Sequence, residues 1–235
     1  MISICVTSAP PCAGASSVCA ALCALALKNA AYPRVLCADA SEGRLGASRL
    51  FGALPGGDLP DADPRGDEDA DVMDNLCISS CGVCVLRCEG RGIAKLHQIL
   101  KSLPFDLAFI DCGMRGSSAD EEMRGSSDLA LCVVDAEGNC LARLDDINPT
   151  EREYFVINRF DCRSKSMYDC RLFLSSSVLA PRLLRTTIPF DEAVLSSTLS
   201  LKPYPLSSPF SAASDAASGV LAEILSLCGE AGGKP

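Results

Sequence analysis

The chain has 235 residues, of which 48% are hydrophobic and 22% charged, and its formal net charge is −9. A chain of this length and composition can bury a core of its own, so intrinsic disorder, collagen-like repeats and dependence on a metal or disulfide framework are excluded. The negative charge also argues against a protein that coats nucleic acid by bulk electrostatics.

Neither the apolar runs nor the start of the chain indicates a membrane or export signal. The longest apolar run, Val18 to Leu27, has ten residues, whereas a membrane-spanning helix needs about 20. Residues 1–18 contain no Lys or Arg, although a secretory signal begins with positive charge. We therefore expect a cytoplasmic protein without a transmembrane segment. Its 15 cysteines are then expected to be thiols, most of them acting as small hydrophobic residues.

Short apolar runs alternate with helical patterns along the chain. The sequence predicts, in order, a strand at 1–7, a nearly all-apolar helix at 15–31, strands at 34–39 and 83–88, a helix at 92–103, strands at 106–111, 129–135, 154–160 and 183–188, and a helix at 212–228. The continuously apolar strands are typical of strands covered on both faces. We therefore predict a single α/β domain over 1–235, a three-layer sandwich with a mostly parallel sheet of about seven strands.

An acidic segment interrupts this pattern. Between Asp58 and Asn75 the sequence has eight acids and one base, Arg65, with Pro and Gly in and beside the stretch. We predict a solvated, flexible loop at about 55–76. A calcium loop is the less favoured alternative, because the EF-hand order of ligands is absent.

Four cysteines follow the acidic segment in a C-x3-C-x2-C-x3-C run and form a candidate metal cluster: Cys77, Cys81, Cys84 and Cys88. The first three have a spacing that iron–sulfur enzymes also use. The alternation along 82–88 indicates a strand instead, with Cys84 and Cys88 on one face and Val83 and Val85 on the other. We favour the strand and expect no bound metal, with a metal or redox module as the alternative.

A loop of small residues connects the first strand to the long helix and reads Ser8-Ala-Pro-Pro-Cys-Ala-Gly-Ala-Ser-Ser17. Strand, small-residue loop and helix are the context of a phosphate-binding loop. The loop resembles that of the ParA/MinD family of ATPases, K-G-G-x-G-K-[ST]-[ST]. Gly14 then stands on the last glycine, and Ser16 and Ser17 stand on the hydroxyl residues. Ala15 and Pro10 occupy the positions of the two lysines, both of which are missing.

Further positions match this family in the correct order over nearly the whole chain. Asp39 corresponds to the first Asp of a D-x-D pair, whose second position is Ser41 here. Asp111 ends the strand whose carboxylate assists magnesium, while Asn158 and Pro189 correspond to the residues beside adenine. The stretches 158–163 and 188–194 are most similar to the branch encoded with bacterial cellulose synthase, BcsQ.

The resemblance implies a vestigial nucleotide site formed by Gly14, Ala15, Ser16, Ser17, Asp39, Asp111, Asn158 and Pro189. A phosphate loop uses converging backbone N–H groups and a lysine charge. Prolines 10 and 11 have no N–H, and Cys12 is not expected to adopt the positive φ that glycine allows. Loss of two lysines removes on the order of 3–6 kcal/mol of binding free energy. We therefore expect no catalytic residue, and at most weak binding of ATP and Mg²⁺.

Structural roles remain open for the matching residues. Gly14, Ser16 and Ser17 could form a tight turn with a helix cap, and Asp39 and Asp111 could cap the turns after their strands. A slow ATPase that uses an unusual donor such as Arg115 is the alternative from the enzyme class.

Our leading hypothesis is a regulatory or scaffolding protein without ATP turnover, in bacterial cellulose or exopolysaccharide biosynthesis and secretion. The resemblance implies a protein partner, either a second copy or a related ATPase or secretion-system subunit, because family members dimerise through the nucleotide face. The basic stretch 159–185 is interpreted as a solvated face, so there is no strong nucleic-acid signal. The closing helix has no basic residue, which disfavours anionic lipid but leaves peripheral membrane association open.

Overall fold

The computed structural model of the chain describes residues 1–41, 46–52, 76–88, 93–136 and 147–232, with side chains described except at 93–95 and 230–232. The acidic loop predicted at about 55–76 lies outside the described residues, apart from Leu76. No helix in the described ranges is long and apolar enough to span a membrane.

A seven-stranded sheet forms the middle layer. Its strands are β1 (Ile2–Ser8), β2 (Val35–Asp39), β3 (Leu76–Ile78), β4 (Cys84–Arg87), β5 (Leu107–Met114), β6 (Leu129–Asp135) and β7 (Glu153–Asn158). Their order is β3-β4-β2-β5-β1-β6-β7. All neighbours pair in parallel except β3 and β4. The predicted mostly parallel sheet is confirmed.

Helices cover both faces of this sheet. They are α1 (Ala15–Leu27), α2 (Ala47–Leu50), α3 (Ile93–Ser102), α4 (Ser118–Ser126), α5 (Lys165–Leu174), α6 (Glu192–Ser200), α7 (Tyr204–Ser207) and α8 (Ala212–Gly232). One core joins the sheet to α1, α2, α7 and α8. Two further clusters join the opposite face to α3, α4 and α5. The molecule therefore has the predicted three layers.

Helix α1 is deeply buried, since nine of its 13 residues are buried. It packs on β5 and lies between the sheet and α8. An all-apolar helix is stable only where neighbours cover it on most sides. The helix ends at Leu27 rather than at residue 31, because the N–H groups of Lys28 and Asn29 each bond to a carbonyl three residues back.

The predicted strand at 183–188 is wrong. The N–H groups of Leu184 and Ile188 do bond to β7, and Leu183 forms an isolated bridge there. Between them, however, the N–H groups of Arg185 and Thr186 donate to the carboxylate of Glu223 on α8 at 2.9 Å each. The side chain of Glu223 thus accepts the backbone N–H groups that would otherwise bond to a neighbouring strand. The seventh strand is instead β3, which has only three residues.

The burial of α1 gives a direct prediction. Leu22 is fully buried, so Leu22→Ala is expected to lower the free energy of unfolding by about 2–5 kcal/mol. Leu199 on α6 is 88% exposed, and Leu199→Ala should change it by less than about 0.5 kcal/mol. Urea unfolding of both variants measures the difference, and equal losses would contradict the assigned position of α1.

Candidate functional site

The carboxyl ends of the parallel strands bring most of the predicted site residues to one edge of the sheet. Asp39 and Asp111 are direct partners in the register of β2 and β5. The loop at 8–17 leaves β1, which lies beside β5. Open α/β sheets bind ligands beyond this edge.

Two residues of the phosphate loop have left-handed backbone conformations. Cys12 has φ 67 and Gly14 has φ 100. The expectation that Cys12 avoids positive φ is therefore wrong: this residue occupies the αL region despite its Cβ. An αL residue other than glycine costs about 1–2 kcal/mol. The loop thus keeps the backbone turn of a glycine position at an energetic cost.

Asn158 is positioned against the phosphate loop. Its Nδ2 donates a hydrogen bond of 2.7 Å to the carbonyl oxygen of Ala13. A Cβ on Gly14 would lie 2.6 Å from that same Nδ2, so only glycine fits here. Pro189 forms a bridge with Phe160, two residues after Asn158. The two residues that correspond to the adenine site therefore lie on neighbouring segments.

The hydroxyl residues of the loop have separate environments. Gly14 is the N-cap of α1 and no side chain caps the helix, so the tight turn considered as a structural role is present, with Gly14 rather than a serine at the cap. The Ser16 hydroxyl favours the charged form of Asp111 and opposes the rise of its pKa, and both Ser16 and Ser17 are half-buried. Ala15 stands at the position of the family's lysine and is only 4% exposed.

Asp39 is held by four donors. Its Oδ1 accepts from the N–H of Ser41 at 3.2 Å and from the Ser41 hydroxyl at 2.6 Å. Its Oδ2 accepts from the N–H of Ser48 at 3.0 Å and from that hydroxyl at 2.5 Å. A Cβ on Gly46 would overlap both carboxylate oxygens. Ser41, at the position of the second acid of the D-x-D pair, is thus a donor to the first acid.

Asp111 is fully buried and accepts from the N–H groups of Ala47 at 2.9 Å and Gly113 at 3.1 Å. Burial, followed by the charge of Asp39, raises the pKa of Asp111 to about 7. A cation beside two carboxylates would reverse that shift. The oxygen donors Ser16 and Asp111 therefore fit Mg²⁺, which prefers oxygen ligands, whereas the loop offers no lysine to a phosphate.

Two arginines near the phosphate loop differ in whether they are free to contact a ligand there. Arg159, which sequence reasoning assigned only to the basic stretch, extends its Nη2 to 3.9 Å from the position that a Cβ on Gly14 would take. Its place directly after Asn158 was the signal that could have identified it. Arg115 forms an ion pair with buried Glu153 at 3.1 Å and bonds to the carbonyl of Asn148. Arg115 is therefore already neutralised by an internal partner.

The structure does not gather the four candidate metal-binding cysteines. Cys77 is exposed on β3, and Cys81 packs towards the α1 face of the sheet. Cys84 and Cys88 pack on the opposite face, while Val83 and Val85 belong to the α1 core. The predicted alternation of this strand is confirmed. In the described chain these four residues do not form a group of sulfurs close enough to share an ion.

The strained loop gives a second prediction. Cys12→Gly removes the αL cost and is expected to raise the free energy of unfolding by about 1 kcal/mol. Cys12→Ala keeps a Cβ at the same φ and should give no gain. Chemical denaturation of the two variants measures this. A gain from alanine equal to that from glycine would show that the loop is not in the αL conformation.

The carboxylate pair gives a third prediction, on pH. With a folded pKa of about 7 and an unfolded pKa near 3.9, Asp111 keeps a proton that the unfolded chain releases. The resulting stabilisation is complete below about pH 4 and is lost as pH rises to about 7, on the order of 4 kcal/mol in total. Urea unfolding from pH 4 to pH 8 measures the loss.

The control for this effect is the neighbouring charge. Asp39→Asn should lower the pKa of Asp111 but leave it above its ordinary value, since burial is the larger cause. Carboxyl-carbon NMR measures both pKa values. A wild-type Asp111 that titrates near pH 4 would contradict the buried, cation-free pair.

Comparison with known proteins gives one family and many similar folds. A family described as cellulose biosynthesis protein BcsQ matches residues 87–225, more than half of the chain. The match includes Asp111, Asn158 and Pro189 and starts after the phosphate loop. A search of curated protein sequences found no match.

Solved structures with this fold cover almost the whole chain. MinD with Mg-ADP from Pyrococcus horikoshii OT3 is 19% identical with a TM-score of 0.72, covering 98% of both chains. A ParA family ATPase from Chlorobium tepidum TLS is 21% identical with a TM-score of 0.71, covering 94% of this chain and 97% of that one. A plasmid partition protein from Borrelia burgdorferi B31 bound to AMPPNP is 15% identical with a TM-score of 0.72, covering 95% and 98%.

The mostly parallel seven-stranded sheet of this chain and its flanking helices match the MinD/ParA P-loop NTPase fold. Together with the match over 87–225, they confirm the resemblance that the sequence carried. The chain belongs to the cellulose biosynthesis protein BcsQ family and has the ParA/MinD fold.

Proposed function

We propose that the chain is a BcsQ-family protein that has lost ATP turnover and acts as a regulatory or scaffolding subunit of bacterial cellulose or exopolysaccharide biosynthesis and secretion. The observation that carries this proposal is a phosphate loop with its turn intact and no basic side chain of its own. Cys12 and Gly14 keep positive φ, while buried Ala15 stands where the family has its lysine.

Phosphoryl transfer depends on stabilising charge that develops on the terminal phosphate. In the ParA/MinD loop two lysines supply that stabilisation, and this chain has Pro10 and Ala15 in their places. Ser41 replaces the acid that would help to orient water, and its hydroxyl is engaged by Asp39. Binding would fall by a factor of about 10² to 10⁴, and turnover would fall further.

A protein partner is part of the proposal, either a second copy or a related ATPase or secretion-system subunit. The solved "MinC:MinD cell division protein complex" from Aquifex aeolicus is an example of this fold with a partner, 17% identical to the chain. Large apolar side chains are exposed on α5, including Leu172 and Phe173, and such surfaces are typical of protein contacts. We place this single domain, residues 1–235, in the cytoplasm.

A second candidate function is weak ATP binding with slow or no hydrolysis. Arg159 favours it, because its guanidinium lies close to Gly14 and could contact a phosphate in place of lysine. Ser16 and Asp111 retain the oxygen donors that suit Mg²⁺. Both candidates share the fold and differ in nucleotide affinity.

Titration of the protein with a fluorescent ATP analogue in Mg²⁺ tests the proposal. We expect no saturable binding of wild type below about 1 mM, and Ala15→Lys should raise affinity by roughly 10- to 100-fold, the value of one charged hydrogen bond. Ala15→Met has similar bulk without charge and should give no gain. Micromolar binding of the ATP analogue to the wild-type protein would contradict the proposal.

The second candidate has its own test. If Arg159 contacts phosphate, Arg159→Ala should weaken any measurable ATP binding by roughly 10-fold. Arg163→Ala is the matched control, because Arg163 is exposed and pairs with Asp161 at 2.9 Å. If the two substitutions weakened ATP binding equally, the loss would be due to long-range charge, and a specific role for Arg159 would be excluded.

A further inference from the structure

Helix α1 and strand β2 bring three cysteines together away from the four-cysteine run. The Sγ atoms of Cys19, Cys23 and Cys37 lie within 4.8 Å of one another, and all three residues are 0% exposed. Cys19 and Cys23 are four residues apart and share a helix face. Cys37 faces α1, since it belongs to the α1 core whereas its neighbours Leu36 and Ala38 belong to the opposite core.

We propose that these three sulfurs form a binding site for a trivalent thiophilic ion of the arsenite class. In the sequence the same residues were interpreted as small hydrophobic side chains, because Cys37 lies 14 residues after Cys23 and 18 after Cys19, which is no recognisable metal spacing. The fold supplies the proximity. This site is independent of the proposed loss of ATP turnover.

The distances suit three-coordination by sulfur. With bonds of about 2.3 Å, as in zinc–thiolate sites, three sulfurs bound to one pyramidal arsenic atom lie at most about 4 Å apart. Sulfurs within 4.8 Å of one another reach this arrangement by movements of less than about 1 Å. Structural zinc requires four ligands, and in the described chain no fourth His, Cys, Asp or Glu atom joins the group.

Charge selects a trivalent ion. Three thiolates carry −3, so a monovalent ion leaves −2 and a divalent ion −1 in the core, and buried net charge is costly. The carboxylates of Asp39 and Asp111 lie near this cluster, and their charge opposes ionisation of Cys37 and Cys23, respectively. Further negative charge is therefore disfavoured here. A trivalent ion gives a neutral adduct.

The reaction balances without an oxidant. Arsenous acid, As(OH)₃, and three thiols form three As–S bonds as three As–O bonds break, and three S–H protons leave as three molecules of water. Thiolates, rather than thiols, attack such centres.

The test is equilibration of the folded, reduced protein with arsenite, followed by metal analysis and X-ray absorption at the arsenic edge. We expect one arsenic per chain with three sulfur neighbours and a raised thermal midpoint, since the ion would join α1 to β2. Binding should be slow, because entry to a fully buried site requires local opening. Samples refolded with arsenite remove this kinetic limit.

Single substitutions locate the ion. Cys19→Ala, Cys23→Ala and Cys37→Ala should each weaken binding by more than about 100-fold, since even partners outside the first coordination shell contribute 10- to 100-fold. Cys112→Ala is the matched control: Cys112 is also fully buried and lies 3.4 Å from Cys5, but only as a pair. It should leave binding unchanged.

Three results would overturn the proposal: no arsenic in native or refolded protein, fewer than three sulfur neighbours, or equal effects of the Cys112 and Cys19 variants. If one variant fails to fold, the coordination number of the wild-type adduct and the two remaining variants decide the question.

Discussion

Asp39 and Asp111 lie side by side at the carboxyl ends of two adjacent parallel strands, beneath the start of a buried helix. Their spacing is fixed by the strand register, and their charge is stabilised by hydrogen bonds from Ser41, Ser48 and backbone N–H groups. In this chain neutral donors bind the carboxylates, and burial keeps a proton on Asp111 to near neutral pH.

Backbone shape and electrostatic function are therefore separable in this loop. The turn survives because the long apolar helix α1 must start immediately after β1 to cover the sheet, and because Asn158 holds the carbonyl of Ala13. Neither constraint needs a positive charge. Packing can thus fix the path of the chain, including the αL conformation of Cys12, without a basic side chain in the loop.

The sequence predicts the fold well where burial determines it. The strand at 129–135 was predicted with its observed bounds, since a continuously apolar run between two covered faces has few alternatives. The segment at 183–188 misled for the opposite reason: its strand-like composition is overridden by Glu223, a residue some 38 positions away. The three-residue β3 carries too short a pattern to be recognised.

The candidate site was predictable as a set of strand ends, because parallel strands bring their carboxyl ends to one edge. Its chemistry was less predictable. The approach of Arg159 to Gly14 depends on how β7 ends. Arg115 is unavailable to a ligand because it forms an ion pair with Glu153. The meeting of Cys19, Cys23 and Cys37 depends on the packing of α1 on β2, which local patterns do not encode.

We propose that the phosphate loop keeps its backbone conformation but does not bind a triphosphate for hydrolysis. A crystal structure of the protein grown with ATP and Mg²⁺ tests it most directly. We expect the loop to stay as described, with no triphosphate ordered against it. A triphosphate seated over Gly14, with magnesium on Ser16, would contradict it.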